Sequence, residues 1–212
     1  METLAAIRNG AKFYGDRKVF GGLNCDFRRG SLCVALGSNG AGKTTLLKIL
    51  AGLTKLSEGE MEIKRGARVG YFAHASFVYP GLTAAENLKF WARAYGADLG
   101  GVEPALQKVG LAARADDPAR SFSRGMLQRL NFARLLLQKP DLWLLDEPFS
   151  GLDEESQSFM RRELKNIKGE GACVVVVSHD PRADLPLADC SLKMGGRPVF
   201  SPVGSIAGAG EN

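Results

Sequence analysis

Residues 37–45 read GSNGAGKTT and satisfy the spacing G-x-x-x-x-G-K-[ST]. In such a turn the backbone N–H groups converge on one point, and the helix behind it adds the positive end of its dipole. The loop is therefore built to hold phosphate. In that chemistry Lys43 reaches the β- and γ-phosphates and the Thr44 hydroxyl holds Mg²⁺, so a phosphate-bearing ligand with Mg²⁺ is implied. The nucleotide-binding candidates are Gly37, Ser38, Asn39, Gly40, Ala41, Gly42, Lys43, Thr44 and Thr45.

A second stretch, LWLLDEP at 142–148, places four apolar residues before two carboxylates. Bringing carboxylates to the end of a buried strand is unfavourable unless they bind something. Asp146 suits direct or water-mediated Mg²⁺ ligation, and Glu147 is placed to polarise an attacking water as general base. The plainer alternative is a pair of exposed carboxylates at a strand end. The chain has two histidines. His179 ends the apolar run VVVVSH, where ligands of open parallel sheets bind, and is a candidate to sense the γ-phosphate and position the water. His74, in GYFAHASF, lies in an aromatic-rich loop where it is idle, a proton handler or a metal ligand.

These residues need a frame. The segment GSLCVAL leads into the glycine-rich loop, and a period-3.6 run follows with Leu46, Leu47, Ile49, Leu50 and Leu53, giving strand, loop and helix. The near-continuous apolar runs at 141–147 and 172–180 suit parallel strands covered on both faces. Between them the pattern turns helical. Thr83 and Glu86 form a capping box before AAENLKFWARAYG, with Gly96 as its stop. EPALQKVGL is a shorter helix with Pro104 in its first turn. Ser123 precedes RGMLQRLNFARLLLQK, whose apolar face carries Leu127, Leu130, Ala133, Leu136 and Leu137. Residues 76–138 are thus expected to form a helical subdomain inserted into an α/β core, within a single domain spanning 1–212. The small, polar tail at 204–212 is expected to be mobile.

Composition excludes several classes. At 212 residues the chain suits one core with one insertion. No apolar run reaches the length of a membrane span, and the start lacks the apolar core of a secretory signal, so a cytoplasmic location is expected. Cys25, Cys33, Cys173 and Cys190 stand singly, without metal-ligand or redox spacing, and read as reduced thiols. The net charge of +5 is dispersed rather than gathered into a basic stripe, so no nucleic-acid partner is expected.

GSNGAGKTT, FSRGMLQR, LLDEP, SGLD and VSHD follow one another in this order. Together they make the chain resemble the ATP-binding subunits of ABC transporters over nearly its whole length. The resemblance implies a P-loop NTPase fold with a mostly parallel core sheet and an N-terminal antiparallel β part. It implies ATP hydrolysis, with Glu147, His179 and Lys43 as catalytic residues. FSRGM occupies the place of the family's signature loop, which clamps the γ-phosphate of ATP held by an opposing subunit. It keeps Ser123 and Gly125 and departs from the commonest form at Arg124 and Met126. Asp153 in SGLD then falls at the interface of a head-to-tail homodimer, and Tyr14 falls where an aromatic stacks on adenine, unless it is a partly buried strand tyrosine.

The resemblance further implies separate integral membrane subunits, which would hold the chain at the cytoplasmic face of the inner or plasma membrane. Phe77, Tyr79, Phe90 and Trp91 are docking candidates, although Trp91 and Leu88 are spaced for packing on one helix face. Where most of the family has a glutamine after the Gly70–Tyr71 strand, this chain has His74, a candidate for the metal shell and for coupling to the membrane partner. That loop and ENLKFWARAYG resemble the ATPase subunits of haem exporters used in cytochrome c maturation. Other small exporters for drugs or polysaccharides share much of this. A soluble ABC ATPase of DNA repair or the ribosome would need a second nucleotide domain or a long insert, and a P-loop kinase would have no use for the signature loop.

Overall fold

A computed structural model describes residues 1–73, 77–178 and 180–203. His74, His179 and the tail at 204–212 lie outside the described residues.

The frame is a six-stranded sheet in the order β5-β6-β7-β3-β8-β9. It consists of β3 (Leu32–Leu36), β5 (Val69–Phe72), β6 (Leu142–Asp146), β7 (Cys173–Val177), β8 (Cys190–Lys193) and β9 (Val199–Pro202). All its pairings are parallel except that of β8 with β9. A second, antiparallel sheet in the order β2-β1-β4 joins β1 (Thr3–Tyr14), β2 (Arg17–Arg28) and β4 (Glu58–Ile63). The expected mostly parallel core with an N-terminal antiparallel part is what forms.

Strands β6 and β7 are buried along their whole length, which explains their near-continuous apolar sequence. Strand alternation then sorts the core into two layers. Leu32, Val34, Trp143, Leu145, Val174 and Val176 face the helices that follow β5 together with α5 (Glu154–Gly169). Cys33, Ala35, Leu142, Leu144, Cys173, Val175 and Val177 face α1 (Lys43–Leu50) and the antiparallel sheet.

Helices α2 (Ala84–Tyr95), α3 (Val102–Lys108) and α4 (Arg124–Gln138) fill the interval between β5 and β6. Their starts follow local chemistry. Thr83 accepts from the Glu86 amide while the Glu86 carboxylate accepts from the Thr83 amide, and Gly96 at φ 66° closes α2. Ser123 caps α4 by accepting from the Met126 amide at 3.3 Å. One expected helical position fails. Helix α1 ends at Leu50 because Gly52 turns left-handed at φ 71° and the Leu53 N–H bonds back to the Lys48 carbonyl. Leu53 is left 63% exposed, outside the apolar stripe. The last helix, α6 (Pro181–Asp184), is a single turn capped by Asp180.

Candidate active site

The order of the strands builds the site. Strand β3 runs directly into the phosphate loop, β7 lies beside it, and β6 next to β7 carries Asp146 and Glu147 to the same sheet edge. Motifs about a hundred residues apart in sequence therefore meet at the C-terminal ends of parallel strands, where ligands of open α/β sheets bind. The Thr44 hydroxyl donates to Asp146 Oδ1 at 3.1 Å. A hydroxyl and a carboxylate side by side are hard oxygen donors, so this pair fits Mg²⁺.

Two glycines are required by the loop's shape. Gly37, at φ 149°, runs so close to β8's end that a Cβ would sit 2.5 Å from the Met194 carbonyl oxygen. Gly42, at φ 95°, would drive a Cβ to 2.7 Å from Val19 Cγ1. Only glycine adopts these angles without strain. Lys43 opens α1 and is 6% exposed, and its ammonium donates to the carbonyls of Gly37 at 2.7 Å and Ser38 at 3.0 Å. The cation is thus held inside the loop's curve, with Ser38, Asn39 and Gly40 exposed at its mouth, Ala41 buried, and Thr45 half-buried in α1. A glycine-lined cradle with a buried lysine and a helix N-terminus behind it fits the triphosphate of a nucleotide.

Glu147 sits at φ 53°, a left-handed conformation costly for a bulky residue, on the order of 1–3 kcal/mol. Its amide donates to the Val177 carbonyl at 3.2 Å, which ties it to the end of β7 beside Ser178. A strained carboxylate next to a metal-type ligand fits a reacting group better than an idle one.

Tyr14 ends β1 and is 54% exposed, with the Lys12 ammonium 4.9 Å from its ring centre. Its hairpin lies against the phosphate loop, because Val19 and Phe20 pack at Gly42 and the Arg17 guanidinium reaches Gly40. An open aromatic face beside a phosphate cradle is suited to a base.

The signature residues stand apart. Among the described residues, no hydrogen bond joins residues 123–126 to residues 37–45. Arg124 instead donates to Ser150 Oγ at 3.3 Å and lies over Gly151, while Gly125 faces Leu152 and the Gly151 carbonyl. Met126 is half-buried and contributes its amide to the Ser123 cap. Asp153 caps α5, accepting from the Ser156 amide at 2.8 Å, and the hydrogen bonds from Ser156 hold its carboxyl below the usual range. Ser123, Arg124, Gly125 and Asp153 are all exposed or half-exposed at the same end of the molecule. They form an open surface rather than part of the cradle.

Three contributors escape sequence reasoning. Arg17 adds a cation at the mouth of the loop, with only its place after the YGD turn as a signal. Tyr71, on β5, faces Asp146; burial and then that carboxylate's charge push its phenol up to about 12. Arg134 of α4 is buried under Phe77 and Trp91, with its guanidinium carbon 4.7 and 5.2 Å from the two ring centres. It donates to the Tyr71 carbonyl at 2.7 Å and to Asn131 Oδ1 at 3.0 Å, and burial holds its guanidinium below the ordinary value.

Above Arg134 lies an aromatic surface. Phe77, Tyr79 and Phe90 are exposed, and Trp91 is half-buried among them, donating its indole N–H to the Phe77 carbonyl at 2.8 Å. Leu88 is fully buried, so of the expected packing pair Leu88 is core and Trp91 joins the surface stack. Among the described residues, no helix is long and apolar enough to cross a membrane.

Residues 20–150 match the family model described as ABC transporter. The chain is 37% identical over 189 residues to the cytochrome c biogenesis ATP-binding export protein CcmA of Rhodopseudomonas palustris (strain BisB18), covering 86% of this chain and 93% of the relative. It is 39% identical over 192 residues to the CcmA of Paramagnetospirillum magneticum, covering 84% and 88%. The zinc import ATP-binding protein ZnuC of Photorhabdus laumondii is 35% identical over 181 residues, covering 85% and 70%. A solved structure of an ATP-binding subunit of an ABC transporter superposes with a TM-score of 0.88 at 25% identity, covering 96% of this chain and 92% of that one. With its phosphate cradle, its paired carboxylates and these relatives, the chain belongs to the ABC transporter family as one of its ATP-binding subunits.

Proposed function

We propose that this chain is the ATPase of a haem exporter serving cytochrome c-type biogenesis, docked on separate integral membrane subunits at the cytoplasmic face of the membrane. The ATPase reading is carried by the Thr44–Asp146 hydrogen bond, which joins the phosphate loop to the carboxylate strand. The choice of exporter is carried by relatives named CcmA that align along 93% and 88% of their own length.

The phosphate loop's amides and Lys43 bind the β- and γ-phosphates, and Tyr14 offers its face to adenine. Thr44 and Asp146 would hold Mg²⁺, whose charge would offset that building on the phosphate oxygens in the transition state. Glu147 accepts a proton from the attacking water, the bond from the γ-phosphorus to the bridging oxygen breaks, and ADP and phosphate leave. By resemblance, His179 orients that water.

The exposed signature end is read as half a site. Two copies close head to tail, and Ser123, Arg124, Gly125 and Met126 of each complete the nucleotide site of the other, with Asp153 at the interface. Closure moves the membrane subunits, and hydrolysis resets them. Phe77, Tyr79, Phe90 and Trp91 are the docking surface for those subunits. His74, which falls between β5 and Phe77 in the sequence, is the proposed coupling residue.

Replacing Glu147 by Gln tests the hydrolytic assignment. Steady-state ATPase of the purified complex is expected to fall at least about a hundredfold, and unchanged turnover removes Glu147 as the base. Deleting the gene tests the exporter: holo-cytochrome c is lost while apoproteins are still made, and normal cytochrome levels rule the haem reading out. His74→Ala is expected to weaken transport-coupled ATPase; undiminished coupling makes that histidine a space-filler. A second reading, another small exporter, is favoured by the 32% identity to the linearmycin resistance ATP-binding protein LnrL of Bacillus subtilis. In that case the membrane proteins that co-purify will belong to a drug exporter.

A further inference from the structure

Arg161, in the first half of α5, belongs to none of the motifs above, yet its partners link it to the segments that follow β6 and β7. Its Nε donates to Asp184 Oδ1 at 2.8 Å. The other Asp184 oxygen accepts from the Ser178 hydroxyl, and that hydroxyl in turn accepts from the Asp180 amide at 3.0 Å. Ser178 and Asp180, the residues on either side of position 179, are thereby tied to Arg161. A second arm of the guanidinium donates to Gln157 Oε1 at 3.2 Å, and Gln157 donates to the Leu152 carbonyl at 3.0 Å, one residue before Asp153. The face of the guanidinium lies 4.5 Å from the ring centre of Phe149, two residues after Glu147.

The pair is well removed from water, with Arg161 18% and Asp184 3% exposed. A buried ion pair is a poor way to gain stability, because apolar residues of similar volume do as well or better. A guanidinium fork, by contrast, fixes several acceptors at set angles, which apolar packing does not. None of its partners lies in the phosphate loop at 37–45, so its influence falls on the groups that act on the water rather than on those that hold the nucleotide.

We infer that Arg161 is a positioning residue for ATP hydrolysis, clamping the segments that carry Glu147, Asp153 and Ser178 into one arrangement through Phe149, Gln157 and Asp184. It touches no substrate atom. The inference rests on the reading of Glu147 as general base, and its test separates the two.

The complex is purified with wild-type chain, with Glu147→Gln, with Arg161→Lys, and with Arg161→Met combined with Asp184→Leu. The double variant removes both charges together, so no orphaned charge is left to unfold the chain. It is expected to melt near the wild type and to keep its KM for ATP within about twofold while kcat falls at least about tenfold. Arg161→Lys keeps the ion pair but not the fork, and is expected to fall between the two. A double variant with wild-type kcat overturns the inference, as does a loss that disappears when the assay is run well below the melting temperature. A Glu147→Gln complex that hydrolyses normally counts against the base assignment alone, since the kcat of the Arg161 variants is read independently of it.

Discussion

The two ends of the nucleotide chemistry are built differently. At the phosphate-loop end, β3, α1 and β6 converge, and Lys43, Thr44 and Asp146 already bond to one another or to the loop. At the signature end, the start of α4 is capped by its own Ser123, with Arg124 and Gly125 lying against Ser150, Gly151 and Leu152. The first is a finished cradle, while the second is an exposed edge that meets no phosphate loop of its own chain. A complete half beside an open half is what a site shared between two copies requires.

Substitutions can break that contrast. The largest effect is expected at Lys43→Ala, which removes the only lysine of the cradle and abolishes ATP binding, as read by a fluorescent nucleotide; retained binding would detach the cradle from its assigned ligand. Next, the glycines should separate the two ends. Gly42→Ala sets a Cβ into Val19 and Phe20 at a left-handed φ, so nucleotide binding is lost with part of the stability, on the order of 1–3 kcal/mol. Gly125→Ala meets nothing closer than 3.7 Å, so the chain folds and binds ATP normally while ATPase of the complex falls. If Gly125→Ala damaged folding instead, the signature end would be structural.

Smaller still is Ser123→Ala, which removes the α4 cap at a cost of about 1 kcal/mol in urea unfolding. The smallest test concerns the core behind the cradle. Burial pushes the Cys25 and Cys173 thiols up to about 12, whereas the hydrogen bond between Cys33 and Cys190 raises Cys33, which burial raises further, and lowers Cys190. Since the thiolate is the reactive form, iodoacetamide at pH 8 should label Cys190 first, read by mass spectrometry. Early labelling of Cys25 would mean that the packing of the antiparallel sheet on the core opens readily.

The same contrast explains what the sequence made legible. The phosphate loop could be read because its geometry is local: glycines, a lysine and a helix start lie within nine residues, 37–45. Asp146 and Glu147 could be read because two carboxylates stand out at the end of an apolar strand, although Asp146 is itself buried there. The helix cap at Thr83 was equally local and formed as expected, and the helix expected after Ser123 formed as well. Leu53 misled, because its apolar spacing continued past a glycine whose left-handed turn had already ended α1. Tyr71, Arg134 and Arg161 could not be read, since each acquires its partners only when strand order and helix packing bring distant segments together. Nor does a single chain say what an open surface meets.

The shared site is the central claim, and cross-linking tests it most directly. Ser38→Cys and Ser123→Cys, introduced together into the Glu147→Gln chain, put one thiol at each end. With ATP and a short bismaleimide, the account predicts a covalent dimer on a denaturing gel that is absent without ATP and from either single variant. A doubly substituted chain that stays monomeric in ATP, or closes on itself, would contradict it.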